Sequence, residues 1–295
     1  QVAAGYQHSL ALDAEGSVWA FGANAYGQLG LGHEEYRLPV PIASLIGAPY
    51  ASWEIPILQV SAGLDHSLLL TASGGVLAFG ANGFGELGLG DSGRGTNRLH
   101  PAAVTGFGGR RVVEVSAGGA HSAAVDELGG LWTWGSVNHG ALGHGEVAAP
   151  GEVDVHAKLR PTRVTRMPYE VRQVSAGHYH TLAVTVRGEC YAWGDGMYGK
   201  LGLDDGAAAH AVGEVYSLLA TRWVPQRVAA LAGTPVRRAL AGASHSVVLT
   251  EAGEVYTMGR GDGGLLGLPG NAPRHVPTRV ATGALAPPAV VVEVS

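Results

Sequence analysis

The sequence predicts an all-β fold of the β-propeller type, and three observations favour it. A short block, Gly-x-x-His, recurs five times, with 58, 55, 59 and 65 residues from one histidine to the next. Each copy is followed by short apolar runs separated by Gly, Pro and Asp, a composition typical of β-strands bounded by turns. Glycine makes up 47 of the 295 residues without a three-residue period, which indicates many tight turns rather than a collagen-like chain.

Every copy of the repeat begins with a glycine and a histidine three residues apart. The glycines are Gly5, Gly63, Gly118, Gly177 and Gly242, and the histidines are His8, His66, His121, His180 and His245. A histidine at the same place in every copy is better explained by packing than by catalysis, because repetition spreads these rings instead of converging them on one site. We therefore assign these ten residues a structural role and expect each ring to hydrogen-bond a neighbouring backbone carbonyl.

The rest of each copy reads as four short strands. An apolar run follows the histidine, as at residues 10–12, and an aromatic strand ending in glycine follows a turn, as at residues 18–22. A Gly-x-Leu-Gly turn, a strand after proline and a final apolar strand complete the copy. Four strands in a unit of this length are typical of one propeller blade, and stacked blades bury each other's apolar faces. We expect the aromatic side chains of these strands to pack between blades: Trp19, Phe21, Phe79, Trp132, Trp134, Tyr191 and Trp193.

The repeats divide one predicted domain, residues 1–295, into five blades. Their approximate bounds are residues 1–56, 57–111, 112–170, 171–235 and 236–289. Residues 290–295 repeat the strand that precedes the Gly-x-x-His block, so they either close a ring near the N-terminus or begin a further blade. Because the chain starts with Gln1 rather than Met, we expect a segment of a longer protein.

Three sequence blocks carry a resemblance to a known family. Ser-Ala-Gly-x-x-His-Ser, Trp-x-Phe-Gly-x-Asn-x-x-Gly-Gln-Leu-Gly-Leu-Gly and Pro-x-x-Val resemble the repeat of the regulator of chromosome condensation family, over essentially the whole chain. The resemblance implies a propeller of four-stranded blades, for which seven is the family norm and five copies stand here. The fifth copy departs from the pattern, with Met258 in place of the aromatic residue and Pro269 in place of a turn glycine. A photoreceptor of the family uses a Gly-Trp-Arg-His-Thr motif, which this chain lacks.

Composition and motifs argue against several classes of function. A net charge of -5 argues against direct nucleic-acid binding by this segment. The single cysteine, Cys190, excludes an internal disulfide, and we find no apolar run long enough for a membrane span and no signal pattern. These features predict an intracellular protein, cytoplasmic or nuclear. His178 and His180 could share one face of a strand as a metal pair, but no further ligand is close in sequence, so we predict no metal site. No Ser-His-Asp arrangement and no Gly-x-Ser-x-Gly motif stand out, so we also predict no cofactor and no enzyme activity.

The variable positions are the better candidates for binding a partner protein. The two residues between each repeat glycine and histidine differ from copy to copy, and aromatic side chains carry much of the energy at interfaces. The candidates in these loops are Tyr6, Gln7, Asp65, His178, Tyr179 and Ser244, and those in the insert at residues 46–57 are Tyr50 and Trp53. Solvated turn residues are the alternative interpretation.

The favoured function is a non-catalytic scaffold for protein–protein interaction. One alternative is guanine-nucleotide exchange on a Ran-like small GTPase, for which the resemblance implies pressure from one propeller face and a wedge loop on the nucleotide site. Asp65 and His178 are exchange candidates by position only. Exchange factors of the family place Asp directly after the repeat glycine in some copies, whereas this chain has Tyr, Leu, Gly, His and Ala there. A second alternative is the substrate- or partner-binding module of a larger ubiquitin ligase or signalling protein.

Overall fold

The chain forms five antiparallel sheets of four strands each. The computed structural model describes residues 1–35, 37–42, 56–145, 157–204 and 220–280, and within them lie twenty strands. In each sheet the strands are hydrogen-bonded in chain order, so each sheet is one four-stranded meander. The prediction of an all-β fold with five four-stranded blades is therefore confirmed.

The strands of each sheet have the following bounds. Sheet 1 contains β1 (Val2–Ala4), β2 (His8–Leu12), β3 (Val18–Gly22) and β4 (Arg37–Pro41). Sheet 2 contains β5 (Ile57–Ala62), β6 (His66–Thr71), β7 (Val76–Gly80) and β8 (Arg98–Val104). Sheet 3 contains β9 (Val112–Ala117), β10 (His121–Asp126), β11 (Leu131–Ser136) and β12 (Ala157–Arg163). Sheet 4 contains β13 (Val171–Ala176), β14 (His180–Thr185), β15 (Cys190–Gly194) and β16 (Arg222–Arg227). Sheet 5 contains β17 (Val236–Ala241), β18 (His245–Thr250), β19 (Val255–Gly259) and β20 (Arg274–Arg279).

The sheets belong to two compact units. Unit 1 contains sheets 1, 2 and 3, and unit 2 contains sheets 4 and 5 together with a 3₁₀ turn at Asn138–Gly140. Further 3₁₀ turns lie at Met197–Gly199, Ala229–Leu231 and Asp262–Gly264. No helix among the described residues is both long and apolar enough to cross a membrane. The predicted closing or next-blade strand at residues 290–295 lies outside the described residues.

A glycine ends the third strand of every sheet for a steric reason. The pairing of the third strand with the fourth shifts register just before this glycine. In sheet 2 the glycine is Gly80, which has a φ of 102°. A Cβ there would lie 2.5 Å from the carbonyl oxygen of Asp65, so the close approach of the backbone excludes a side chain. The equivalent glycines, with φ between 101° and 112°, are Gly22, Gly135, Gly194 and Gly259.

Successive sheets within each unit share an apolar core. One cluster joins sheets 1 and 2 through Leu10, Leu29 and Phe79, all fully buried. Complete burial of such side chains contributes about 1.5–3 kcal/mol each. The cluster between sheets 2 and 3 contains Leu68, Leu87, Val115 and Trp134, and the cluster between sheets 4 and 5 contains Leu182, Leu201, Val248 and Met258.

The fifth copy of the repeat folds like the others despite its departures from the pattern. Met258 occupies the position of the missing aromatic residue and has no exposed surface. Its flexible thioether fills the space beside Gly202, where a Cβ would lie 2.5 Å from the sulfur. Loss of the aromatic side chain therefore leaves the apolar contact between sheets 4 and 5 in place.

The aromatic side chains of the third strands occupy two environments. Phe79, Trp134 and Trp193 are fully buried, as expected for side chains that pack between sheets. Trp19 differs, because it is 37% exposed and donates its indole N–H to Asp13 Oδ2 at 3.2 Å. The expectation of a ring buried between blades was therefore wrong for Trp19. Trp19 lies on the same face of its strand as Phe21, and the residues at its position in sheets 3 and 4, Trp132 and Tyr191, are buried, so the choice of face does not account for its exposure.

A glutamine on the first strand fastens successive sheets. The amide of Gln59 donates to the carbonyl of Val115 at 3.0 Å and accepts the Val115 N–H at 2.9 Å. In unit 2, Gln173 makes the same two bonds to Ala239, at 3.0 and 2.9 Å. Each glutamine therefore satisfies one N–H and one C=O on the neighbouring strand, and main-chain groups of that type are costly to leave unpaired.

Candidate partner-binding face

Two loops of each sheet meet at the same edge. One is the Gly-x-x-His loop before the second strand, and the other is the turn that follows the third strand. The residue after the strand-ending glycine donates its N–H to the carbonyl of the residue before the repeat histidine, as in Ala81 to Asp65 at 2.9 Å. The other four bonds join Ala23 to Gln7, Ser136 to Ala120, Asp195 to Tyr179 and Arg260 to Ser244. We call the set of these loops the loop face of a unit, and the loop candidates from the sequence lie on it.

Three repeat histidines, His8, His66 and His180, bond a hydroxyl group of the next sheet rather than a carbonyl. His8 Nε2 lies 2.9 Å from Ser67 Oγ, and that hydroxyl donates to the carbonyl of Gln28 at 2.8 Å. Because the hydroxyl has only one proton and gives it to the carbonyl, the histidine must donate from Nε2. For these three rings the expectation of a direct bond to a carbonyl was wrong, because the hydroxyl lies between the ring and the carbonyl. The same chain runs from His66 through Ser122 to Glu86, and in unit 2 from His180 through Ser246 to Lys200.

Burial keeps these rings neutral. It lowers the pKa of His8 from 6.5 to about 4 and the pKa of His66 to about 3, with nearby His121 and His8 adding to the effect on His66. Among the other repeat histidines, His121 is also buried, and burial lowers the pKa of the half-buried His245. A neutral ring that donates from Nε2 to a buried hydroxyl suits a fixed contact between sheets.

The repeat glycines allow the histidine rings to approach the backbone. A Cβ on Gly63 would lie 2.5 Å from His66 Cε1 and 2.5 Å from the carbonyl oxygen of Gly118. That carbonyl accepts the N–H of Leu64 at 3.0 Å, so successive Gly-x-x-His loops are joined through the main chain. Gly5 and Gly177 have the same surroundings, and a Cβ on Gly242 would meet His245 Cε1 at 2.7 Å.

The loop face of unit 1 combines exposed and acidic side chains. Tyr6 is 71% exposed, and Gln7 beside it is exposed as well. Asp65 is half-buried, and burial raises the pKa of its carboxyl group. Gln28 Nε2 lies 3.5 Å from Asp65 Oδ1. Glu86 is only 5% exposed, and burial, together with the charge of Asp65, raises its pKa.

The loop face of unit 2 carries a stack of three rings. His178 stacks on Tyr179 at 3.9 Å between ring centroids, and His139 contacts Tyr179 at 4.6 Å. A buried ion pair joins Lys200 Nζ to Asp195 Oδ2 at 2.5 Å. Burial, and then the charge of Lys200, lowers the pKa of His178. His178 stacks on Tyr179, whereas the His180 ring bonds Ser246, so the two rings have different partners.

The other residues singled out from the sequence are three candidates for partner binding, the possible metal ligands and the single cysteine. Ser244 is half-buried, and its carbonyl accepts the Arg260 N–H. Tyr50 and Trp53 lie outside the described residues. The structure contains no group of three or more His, Cys, Asp or Glu side chains placed to hold a metal ion in the described ranges. Cys190 is buried, and burial raises the pKa of its thiol to about 12.

One set of rings, two of them exposed and two half-buried, was missed from the sequence. The residue before the first glycine of the Gly-x-Leu-Gly turn is Tyr26, Phe84, His139 or Tyr198 in four copies. Tyr26 is 45% exposed and Phe84 is 50% exposed. His139 and Tyr198 have φ of 58° and 61°, a left-handed conformation that is uncommon for large side chains. Aligning the five turns by their glycines would have revealed this position, since a ring occupies it in four copies.

The comparison with family models decides the family. The model of the regulator of chromosome condensation (RCC1) repeat matches residues 15–70, 73–125, 129–184, 187–249 and 252–294. The chain belongs to the RCC1 repeat family. A second model of the same repeat matches residues 1–28, 57–86 and 171–200. The family predicted from the three sequence blocks is thus confirmed.

Known RCC1-repeat proteins resemble this chain over most of its length. The ultraviolet-B receptor UVR8 of Arabidopsis thaliana is 32% identical over 94% of this chain and 56% of the receptor. The probable E3 ubiquitin-protein ligase HERC4 of Rattus norvegicus is 38% identical over 68% of this chain and 18% of the ligase. The chain thus spans about half the length of the receptor and under a fifth of the ligase.

Solved structures show the same fold. Human WBSCR16 is 26% identical, with a TM-score of 0.75 over 94% of this chain and 65% of that chain. Prp20p of Saccharomyces cerevisiae, described together with its binding to Gsp1p and histones, is 22% identical, with a TM-score of 0.61 over 96% of this chain and 77% of that chain. At that identity the likeness to Prp20p concerns the fold alone.

Proposed function

We propose that this RCC1-repeat chain is a non-catalytic, intracellular module that binds a partner protein through its loop face. One observation carries the proposal: the residues that define the repeat are used in contacts between sheets, whereas the variable loop positions are exposed or half-buried. His66 bonds Ser122, and Gly63 lies against His66. Tyr6, Tyr26 and Phe84 are 45% to 71% exposed on the same edge of unit 1. Exposed aromatic side chains on a rigid scaffold are typical of protein interfaces.

One relative shows that a repeat region like this chain occurs within a longer protein. HERC4 is a probable E3 ligase of which this chain matches 18%. A module within a larger ligase or signalling protein is therefore consistent with the proposal, and in that case chemistry would come from another part of the full-length protein.

Site-specific crosslinking tests the proposal. A photocrosslinking amino acid placed at Tyr26 is expected to capture a discrete protein from lysate of the source cells, which mass spectrometry then identifies. The matched control is Leu128, which is 58% exposed in the turn between β10 and β11, at the opposite edge of a sheet in unit 1. The captured protein, once purified, should bind the Tyr26→Ala variant more weakly and the Leu128→Ala variant normally. Equal capture at both positions, or capture at Leu128 alone, would contradict the proposal.

Nucleotide exchange on a Ran-like GTPase is the second candidate. Asp65 supports it, since an acidic side chain on an exposed propeller face is what the family resemblance implies for exchange. The test is release of labelled GDP from Ran with and without the purified chain. Release at the spontaneous rate would exclude exchange on Ran and leave the scaffold proposal intact.

A further inference from the structure

Two carboxylates on the loop face of unit 1 lack a cationic neighbour. Burial raises the pKa of Asp65. Burial also raises the pKa of Glu86, three backbone N–H groups of its own turn lower it, and the charge of Asp65 raises it further. No Lys, Arg or His in the described part of the chain offsets either carboxylate. The side chain that reaches toward Asp65 is the neutral amide of Gln28, at 3.5 Å. Like charges disfavour each other's ionised form, and a cation bound at this place would offset that effect.

In unit 2, the acidic side chain of the equivalent turn is paired with a cationic side chain of the same chain. Asp195 forms its ion pair with Lys200, which is the second residue of a Gly-x-Leu-Gly turn. The residues at the position of Lys200 in sheets 1 and 2 are Gln28 and Glu86, so these two sheets lack this cation. In sheet 5, Asp262 pairs with Arg260 at 2.5 Å. The negative charge around Asp65 is therefore a specific property of unit 1.

Two exposed aromatic rings lie in the turns that contain Gln28 and Glu86. The Tyr26 N–H donates to Gln28 Oε1 at 2.9 Å, and the Phe84 N–H donates to Glu86 Oε2 at 2.7 Å. Each ring is thus held in the same turn as one of the two polar side chains that interact with Asp65. Faces of aromatic rings attract Lys and Arg head groups, and their surfaces pack against the aliphatic parts of those side chains.

We propose that Tyr26, Gln28, Asp65, Phe84 and Glu86 form a docking patch for a basic segment of a partner protein, with a Lys or Arg side chain bound by the two carboxylates. This inference rests on the proposed function and specifies the chemistry of the partner. A nucleic acid would not fit, because its phosphates would be repelled by Asp65 and Glu86. A basic peptide supplies both the missing charge and aliphatic stems for the rings.

Binding of a charged peptide tests the patch directly. The probe is a short fluorescein-labelled peptide of alternating Arg and Gly, and fluorescence anisotropy reports its binding. We expect the Asp65→Asn/Glu86→Gln variant to bind at least about tenfold more weakly, and we expect affinity to fall as NaCl is raised. A peptide of alternating Glu and Gly should not bind. Asp262→Asn is the matched control, since it also removes a charge from a loop-face acid, but from one already paired with Arg260.

The outcomes separate this inference from the proposed function. Equal binding of the Arg peptide to the parent chain and to Asp65→Asn/Glu86→Gln, or no binding at all, would overturn the patch. Asp65→Asn alone and Phe84→Ala change side chains with exposed surface and provide further tests if the double variant unfolds on urea titration. If the crosslinked partner binds all these variants as tightly as the parent chain, the docking patch is disproved, whereas the proposed scaffold function is still supported.

Discussion

His66 Nε2 lies 2.9 Å from Ser122 Oγ and thereby joins the second strands of sheets 2 and 3. The hydroxyl donates in turn to the carbonyl of Glu86 at 2.8 Å. All three residues are buried, so none of these groups can turn to water instead. His8 and His180 make the same contact with Ser67 and Ser246, so in each of these three places one histidine forms a polar bond within the apolar interface between two sheets.

Ser122→Ala is expected to lower the free energy of unfolding by about 1–3 kcal/mol, because it leaves the buried His66 N–H without an acceptor. Trp134 still donates to the Glu86 carbonyl at 2.9 Å, so that oxygen stays paired. Urea unfolding followed by tryptophan fluorescence measures the change. Ser73→Ala is the control, since Ser73 is exposed, and an equal loss in both variants would contradict the role of the hydroxyl.

Stability is expected to fall as the pH decreases from 7 to 5. The folded pKa of His8, about 4, lies below the unfolded value of 6.5. Between these values the unfolded chain binds more protons, so acid favours unfolding, by about 2 kcal/mol at pH 5 for His8 alone. Urea titrations at several pH values measure the slope, and His8→Gln should reduce it. A pH-independent stability in this window would contradict the neutral-ring interpretation.

Gly80→Ala is expected to destabilise the chain by at least about 3 kcal/mol. The new Cβ would meet the carbonyl oxygen of Asp65 at 2.5 Å, and the φ of 102° adds strain. Gly93 offers a control, because it has a similar φ of 97° and a Cβ there would have no atom within 4 Å. Gly93→Ala should therefore cost only the backbone strain, about 1–2 kcal/mol. Thermal unfolding compares the two, and equal losses would show that the close approach at Gly80 is unimportant.

Gln173→Ala is expected to cost about 2–4 kcal/mol, because the Ala239 N–H and C=O both lose their partner in a buried interface. Gln226→Ala, on an exposed position of β16, is the control and should change the free energy of unfolding by less than about 0.5 kcal/mol. Denaturant titration measures both variants. Similar values for the two would contradict a fastening role for Gln173.

Much of the fold follows from local sequence patterns. Short apolar runs and turn glycines predict the four strands of each sheet, and β2, β6, β10, β14 and β18 each begin at the repeat histidine. The target of the histidine was predicted wrongly, because Ser67 lies one full repeat from His8 and only the stacking of sheets brings them together. Trp19 was predicted to be buried, as Trp132 and Tyr191 are at the same position of sheets 3 and 4, but the repeat pattern does not show how far neighbouring groups cover this position in each sheet.

The candidate patch was only partly visible in the sequence. Asp65 stood out because it lies between a repeat glycine and histidine. Glu86 did not, because it occupies a turn position shared with Gln28 and Lys200, and its interaction with Asp65 crosses from a turn to a loop of the same sheet. Charge balance at such a site depends on three-dimensional neighbours, which spacing along the chain does not reveal.

The glutamine contacts have a consequence for how such chains change length. Gln1 bonds Val60, Gln59 bonds Val115 and Gln173 bonds Ala239, each through a side-chain amide that pairs with the N–H and the C=O of that residue. Because the receiving group is main chain, the partner's side chain is free to vary. A duplicated copy would therefore carry its own glutamine, which could pair with the main chain of the next sheet. Whole copies could then be gained or lost in evolution without new side-chain contacts between sheets.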